Sequence, residues 1–594
     1  VKGIRTYADV LGAPFVVAVV IVVGLAVRRS HYESTPHVQS SAATARRAVT
    51  IPFQQVESSA PAGLIFQHQK FVPPQELKNV APLLSGLAGA SVAVVDADND
   101  GWPDIYFTNA AIGSSNALFH NNHDGTFADF SERSGIARVN ETTGSLRALF
   151  FDYDNDGHDD LLLTTTYCPR VFHNRGDGTF EDVTATAGIA YCGYVTASNV
   201  VDYDGDGRLD VIIAGYYRSL DILHPDKTDF IFPRLNYAGG GGPIVVYHNE
   251  GNGRFSEVPG ALGIHSRGWT HTVSVYDLRG TGHPDLYFAT DFNADQVYWN
   301  DGHGGFVNGS DDGFLGNKYS RFGMSAEIGD FANDGLPGVY VTDIYEPGRM
   351  PGHNALWKMT AGQKFESASD DLDLLRCGWA WGAKFVDLDN DTHLDLAVTN
   401  GMVSGKSKKS YWYGGSSMMS GNLMGEARNW APIGDLSWSG YQTKCVYHNE
   451  GGKLIDVSSQ TDMGQDDSDG RGLAAIDFRN EGVASLVEAN VGQPAHLFRT
   501  VPPKTNHWIG FALTGTRSNR DAFGTKITIH RRNGVVQSQE LEPANGYEAE
   551  SDHRLLFGLG PSAEIESIHV RWPLGREQDL TALAPDRYHS LTEP

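Results

Sequence analysis

Asp152-Tyr153-Asp154-Asn155-Asp156-Gly157-His158-Asp159-Asp160 runs straight into Leu161-Leu162-Leu163 and follows Ala148-Leu149-Phe150-Phe151. Carboxylates stand at positions 1, 3, 5 and 9 of a nine-residue loop, with glycine at position 6. Oxygen ligands at alternate positions, and a glycine that permits a sharp turn, are what a hard cation such as Ca2+ requires. An EF-hand would need two flanking helices and a Glu at position 12. Here apolar runs stand on both sides, so the unit reads as strand, acid loop, strand.

The unit recurs. First aspartates stand at Asp96, Asp152, Asp202, Asp277, Asp330, Asp387 and Asp477, which makes seven copies. A second signature trails most of them: His120-Asn121 with Gly125-Thr126-Phe127, His173-Asn174 with Gly178-Thr179-Phe180, His248-Asn249 with Gly253-Arg254-Phe255, Trp299-Asn300 with Gly305-Phe306, and His448-Asn449. Each copy therefore carries about four strands, and seven such units predict an all-β chain with a seven-bladed β-propeller over residues 51–503. The recurring histidines each precede the turn Asn and read as hydrogen-bonding groups at a strand end.

These loops resemble FG-GAP or VCBS repeats, the calcium-binding blades of integrin α-subunits. After Lys504 the pattern changes to strands such as His507–Leu513, Lys526–Ile529, Arg554–Phe557 and Ile568–Trp572, separated by Gly, Asn and Pro turns. Ser518-Asn519-Arg520-Asp521-Ala522-Phe523-Gly524-Thr525, Leu556-Phe557-Gly558-Leu559-Gly560 and Trp572-Pro573-Leu574-Gly575 resemble the ASPIC/UnbV domain. The combination is similar to the cartilage acidic protein family. Residues 504–594 are read as a small β-sandwich, and the resemblance carries over no catalytic residue.

The copies are unequal. Asp96/Asp98/Asp100/Asp104, Asp152/Asp154/Asp156/Asp160 and Asp202/Asp204/Asp206/Asp210 are intact, and Asp387/Asp389/Asp391/Asp395 keeps its acids with Thr392 at the glycine position. The Asp277 loop has Arg279 and Thr281, the Asp330 loop Ala332 and Gly338, the Asp477 loop Arg479, Glu481 and Ser485. Four calcium sites are expected and three empty loops. Arg279 or Arg479 lying among the acids would replace the cation's charge; the alternative is a solvated surface arginine.

Leu11 to Val27 is almost wholly apolar, with Lys2 and Arg5 before it and Arg28-Arg29 after. Residues 1–29 are read as a signal anchor or transmembrane segment, or as a cleaved signal, and residues 30–50 as a polar linker. Either reading places the rest outside the cytoplasm, at the periplasm or cell surface. It is tethered to the cytoplasmic membrane if the anchor stays and secreted if it is cleaved.

With 594 residues and 40% hydrophobic content, the chain is long enough for more than one core. The net charge of -26 excludes nucleic acid as a partner, because phosphate binding needs a basic face. No CxxC, HExxH, GxSxG, P-loop or strand-linked GxGxxG occurs. The four cysteines fall at related repeat positions, and the expected bonds, out of three connectivities, are Cys168–Cys192 and Cys377–Cys445, the alternative being four buried thiols.

Eight residues before the first Asp, four consecutive copies carry an aromatic: Tyr194, Trp269, Phe322 and Trp379, with His271, Arg321 and Trp381 close by. In a propeller this position lies at the channel mouth opposite the acid loops. Such an arc stacks a sugar or clasps a peptide if open, and plugs the channel if packed. Residues Met402–Thr443, rich in Met, Trp and Tyr, suit a partner surface such as a membrane complex, or a loop that folds back on itself.

The last repeat lacks its fourth strand, and a copy of that strand stands before the first, at Phe53 to Val56. This segment is expected to cross back and close the ring. The functional expectation is a calcium-binding extracytoplasmic binding or assembly protein with a protein or glycan partner. The alternatives are a glycan-active enzyme using the channel mouth and an accessory subunit of a membrane complex.

Overall fold

The inner hairpin of each repeat follows from the acid loop. Residues Phe151 and Asp160 pair in register, and so do Val95 with Asp104, Val201 with Asp210, and Val386 with Asp395. The loop thus closes a hairpin whose second strand begins with the ninth residue, which buries that carboxylate. In the computed structural model the described residues are 50–75, 81–87, 89–216, 241–265, 268–310, 321–361, 364–368, 374, 376–412, 432–581 and 583–594. The apolar stretch Leu11 to Val27 lies outside them; among the described residues no helix is long and apolar enough to cross a membrane.

Seven sheets follow one another along the chain, each with a core of four strands; the first gains Ala549–Glu550 and the fourth Arg321–Phe322 as a fifth. Their inner strands are Val92–Val95, Ser145–Phe151, Val195–Val201, Trp269–Tyr276, Ala326–Gly329, Ala380–Val386 and Gly470–Ile476. Each touches the next, and the seventh touches the first, so the succession closes in a propeller-like ring. The seventh sheet takes its outer strand from the start of the chain: Gln54 pairs with Val501 and Glu57 with Phe498. The expected crossing of the N-terminal strand is what the register shows. Phe53 is buried beside Leu486 and Phe498, which anchors the crossing.

The turn asparagines stitch neighbouring sheets together. Asn174 Nδ2 donates to the Ala97 carbonyl at 3.0 Å, Asn249 to Tyr153 at 2.7 Å and Asn449 to Phe331 at 2.7 Å. Each acceptor is the second residue of the preceding sheet's acid loop. Asn121 makes the same bond to the Phe478 carbonyl at 2.9 Å, and so joins the first sheet to the seventh. Buried carbonyls of a loop need a donor, and the Asn of the second signature supplies one.

Both disulfides, Cys168–Cys192 and Cys377–Cys445, are formed, with Cα separations of 4.2 and 6.1 Å. Past Val501 the chain builds two further sheets. One is ordered Leu555–Gly560, His507–Thr514, Tyr588–Thr592; the other Val536–Glu540, Lys526–Arg531, Ile565–Arg571, Glu577–Leu580. Their facing residues Ile509, Phe511, Phe557, Ile527, Ile568 and Trp572 share one buried cluster, as a sandwich requires.

Candidate metal centres and the channel plug

All seven acid loops share one backbone turn. The first aspartate accepts the amides of positions 5 and 6: Asp96 from Asp100 and Gly101 at 3.0 and 2.8 Å, Asp152 from Asp156 and Gly157 at 3.0 and 2.6 Å. The lapsed loops do the same, Asp277 at 2.8 and 2.7 Å and Asp477 at 3.1 and 2.7 Å. Position 6 has positive φ in every copy, +97° at Gly157 and +98° at Thr392, where a side chain is strained. The first Asp therefore builds the turn, cation or not. The remaining acids are left for a cation, and each lapsed loop keeps only one of them: Asp285, Asp334 or Glu481.

In the intact loops the carboxylates crowd together. Burial, with neighbouring acids adding to it, pushes Asp96 and Asp152 up to about 7, Asp160 to about 10, Asp210 to about 9 and Asp389 to about 7. A cation among them would hold them ionised. Asp98, Asp104 and His120 bring ligand atoms within 4.8 Å of one another, as do Asp154, Asp160 and His173, and Asp204, Asp210 and His248. Asp389, Asp391 and His448 form the fourth such group. The recurring histidines bond the ninth carboxylate through Nδ1: His120 to Asp104 at 3.2 Å, His173 to Asp160 at 3.0 Å, His248 to Asp210 at 3.1 Å and His448 to Asp395 at 2.9 Å. They orient that acid from outside the turn. Asp100, Asp156 and Asp206, at position 5, and Asp202 and Asp387, at position 1, complete the four loops.

The three lapsed loops have each lost two of the acids at positions 3, 5 and 9, keep only Asp285, Asp334 and Glu481 respectively, and have gained fixed cations. Arg279 reaches Asp285 through Nη2 at 2.9 Å and Nε at 3.2 Å, also donates to the Asn300 carbonyl, and lies over the Trp299 ring. Trp299 stands where the other repeats hold His, so Arg279 replaces both histidine and cation. Arg479 does not do this: it pairs with Glu481 at the surface. The C-terminal sandwich supplies the charge instead. Arg554 donates to Asn480 at 2.6 Å and to the Asp477 carbonyl at 3.3 Å, and Tyr588 donates to the Asp477 carboxylate at 2.9 Å. Arg571 pairs with Asp277, and Lys526 reaches the Gly335 carbonyl of the Asp330 loop at 3.5 Å. Among the described residues no basic group of the sandwich forms an ion pair with the four acids of an intact loop. At those loops Asp152 N–H donates to Asp521, Asn506 donates to the Asp389 carbonyl, and His553 pairs with Asp159, which is not one of the four acids, at 3.3 Å.

The sandwich also fills the channel. Inner strands present unpaired amides to the axis, and residues 540–551 satisfy them. Glu540 accepts from Asp277 N–H at 2.9 Å, Asn545 from Val275 N–H at 2.9 Å, Glu548 from Ala90 N–H at 2.9 Å and Glu550 from Phe150 N–H at 2.8 Å. Ala549–Glu550 pairs in parallel with Val92–Ala93. Arg147, fully buried, donates to the Gly546 carbonyl at 3.0 Å. The sequence reads this stretch only as Pro, Asn and Gly turns; no local signal marks it as a plug.

The aromatic arc is packed, not open. Tyr194, Trp269, His271, Trp379 and Trp381 are at most 6% exposed. Phe322, partly buried, packs against the same cluster, which also takes in Tyr547 from the plug. Trp381 lies 4.9 Å from the Tyr547 ring, and the guanidinium of Arg471 stands 4.1 Å over Trp381. Rings that face a narrow axis exclude water best against one another, so the sugar-stacking expectation gives way to core. Arg321 pairs through its backbone opposite Asn293. Of the Met402–Thr443 insertion, Met402, Val403, Tyr411, Trp412 and Trp438 join this cluster, which corrects the partner-surface expectation for those residues; 413–431 lie outside the described residues.

Comparison with known proteins agrees with this division. A model described as ASPIC and UnbV matches residues 515–594, and an FG-GAP-like repeat model matches 96–163, 152–213 and 277–341. Cartilage acidic protein 1 of Mus musculus is 21% identical over 510 residues, covering 82% of this chain and 70% of its own. The Homo sapiens protein is 21% identical over 446 residues, covering 72% and 59%. Among solved structures, an Agrocybe aegerita lectin that recognises non-reducing terminal N-acetylglucosamine aligns over 68% of this chain and 86% of its own, at 17% identity and a TM-score of 0.33. BBS1N in complex with ARL6DN aligns over 70% and 94%, at 8% identity and a TM-score of 0.38.

Proposed function

For a chain built from FG-GAP-like repeats and ended by an ASPIC and UnbV domain, related to cartilage acidic protein 1, we propose a calcium-binding extracytoplasmic binding or assembly protein. The body is a seven-bladed β-propeller whose channel is stoppered by its own C-terminal sandwich, and the apolar segment Leu11 to Val27 tethers it to the membrane. The observation that carries the calcium reading is the division of charge among the loops. The sandwich brings Arg or Lys to the three loops that have lost acids and to none of the four acids of an intact loop; Arg208, within the Asp202 loop, pairs with Asp206 alone, and among the described residues Asp202, Asp204 and Asp210 have no Arg or Lys partner. Four crowded acid sets to which the sandwich brings no compensating Arg or Lys are what Ca2+ sites look like. Two disulfides support an oxidising compartment.

A ring locked by its own plug is a rigid frame for loops, which suits recognition of a protein or glycan better than turnover. The buried channel rings take support away from a glycan-active enzyme at that mouth. Equilibrium dialysis against Ca2+, with the metal counted per chain, tests the reading. Four ions are expected, and none would refute it. Capture from solubilised membranes on immobilised protein, with and without chelator, then tests whether partner binding needs the metal.

A further inference from the structure

The first repeat differs from the others at two places. Loop position 7 is Trp102, and the turn after His120-Asn121 holds His123 where the second, third and fourth repeats hold Gly176, Gly251 and Gly302. That position has φ +63° in His123 and +69° to +75° in the three glycines. A β-carbon there is disfavoured, yet this copy keeps a histidine.

The histidine points back at the acid loop. Its Nε2 lies 2.5 Å from Asp100 Oδ2, and its ring stacks on Trp102 with centroids 4.8 Å apart and planes 14° apart. The ligand atoms of Asp100, His120 and His123 all lie within 4.8 Å of one another. His120 faces Asp104 through Nδ1 at 3.2 Å, which leaves its Nε2 lone pair for a metal and sets a carboxylate behind the imidazole. Two imidazoles and one carboxylate suit a borderline divalent ion, whereas Ca2+ takes six to eight oxygens.

We propose that Asp100, His120 and His123 form a binding site for a divalent transition-metal ion of the Zn2+ class, separate in chemistry from the calcium loops. The ion replaces the proton shared by His123 Nε2 and Asp100 Oδ2, which passes to solvent. Water fills the remaining positions, since the His123 side chain is 46% exposed. The site is confined to the first repeat, because the other turns lack the second histidine. Asp100 belongs to the calcium loop as well, so Zn2+ and Ca2+ oppose each other there.

The test is titration of Zn2+ into the tag-free, metal-stripped full chain against a chromophoric chelator, with the Co2+ spectrum recorded in parallel. One site is expected. His123→Gly should weaken it by at least about tenfold, the lower end of what outer-shell partners alone carry. Glycine suits the backbone at that position, so the variant should melt like the parent. Glu132→Ala removes an exposed first-repeat acid that pairs with Arg138, away from the triad, and should leave Zn2+ affinity unchanged. Wild-type protein that takes up no Zn2+, or a His123→Gly variant that binds as the parent does, overturns the proposal. Failure of the calcium reading would appear in Ca2+ dialysis and leave these Zn2+ results as they stand.

Discussion

The Arg571 guanidinium of the C-terminal sandwich is paired with Asp277, the first carboxylate of an acid loop that carries Arg279 and Thr281 in place of its next two acids. Asp277 is 4% exposed and Arg571 20%. The sandwich thus holds the ring at a loop that no longer has the acids for a cation. Removing one partner strands the other charge, so Arg571→Ala should cost about 2–3 kcal/mol, somewhat less than a fully buried pair. The double variant with Asp277→Asn should recover part of that in urea unfolding. Additive single effects would mean that the pair contributes nothing.

Calcium should stabilise the protein through the intact loops alone. At tenfold excess over the dissociation constant each site adds about 1.4 kcal/mol. Asp154→Ala should remove one site's share of the calcium-induced rise in melting temperature. Asp334→Ala, in a lapsed loop, should leave that rise intact. A wild-type melting curve indifferent to chelator would rule out the calcium sites.

The closing strand should matter as much as any core strand. Gln54–Glu57 lies along His496–Val501, and Ala62 and Leu64 are buried with the first and seventh sheets. Deleting residues 51–64 bares that edge and empties those sites, at a cost of several kcal/mol. A deletion variant that melts like the parent would show that the ring holds without its clasp.

Reduction should destabilise more at the longer loop, with the logarithm of its length. The bonds span 24 and 68 residues. On a chain-entropy argument they contribute about 3.4 and about 4.4 kcal/mol respectively. Cys377→Ala/Cys445→Ala should therefore lower the unfolding midpoint more than Cys168→Ala/Cys192→Ala. The reverse order would reject that argument.

Stability in saturating Ca2+ should carry two opposed pH dependences, the larger from buried carboxyls. Burial pushes Glu540 and Glu548 of the plug up to about 8 from an ordinary 4.5. The folded state then holds protons that the unfolded chain has released. Their contribution is full below about 4.5 and lost as pH rises through 8, at no more than about 1.4 kcal/mol per pH unit for each group. His68 runs the other way: burial pulls it down to about 3, so the unfolded chain takes up a proton first and its contribution drops as pH falls below about 6.5. Urea midpoints from pH 4 to 9 check both: the fall with rising pH should be steeper above about 6.5 than below it, where His68 opposes it, and Glu548→Gln should flatten it. A slope unchanged in that variant would place the protons elsewhere.

The parts readable from residues alone are the parts that repeat. An acid at every second position, an Asn before a Gly turn, and a strand missing at one end and present at the other are local patterns. They arise because each repeat solves the same problem of turning a chain and satisfying its amides. Cysteine positions were legible for the same reason, since Cys192 and Cys377 share one repeat position and Cys168 and Cys445 another, and each bond joins one of each. What only the tertiary structure decided happens once. Glu548 meets Ala90, Asn545 meets Val275 and Arg571 meets Asp277 across more than 250 residues of chain, with no periodicity to announce them. The fate of Tyr194, Trp269 and Trp381 was open in the sequence because an aromatic on an inner strand serves an open mouth or a packed core equally well. Residues 540–551 settle it, because a channel lined with unpaired amides is lowest in free energy when something polar enough to pair with them fills it.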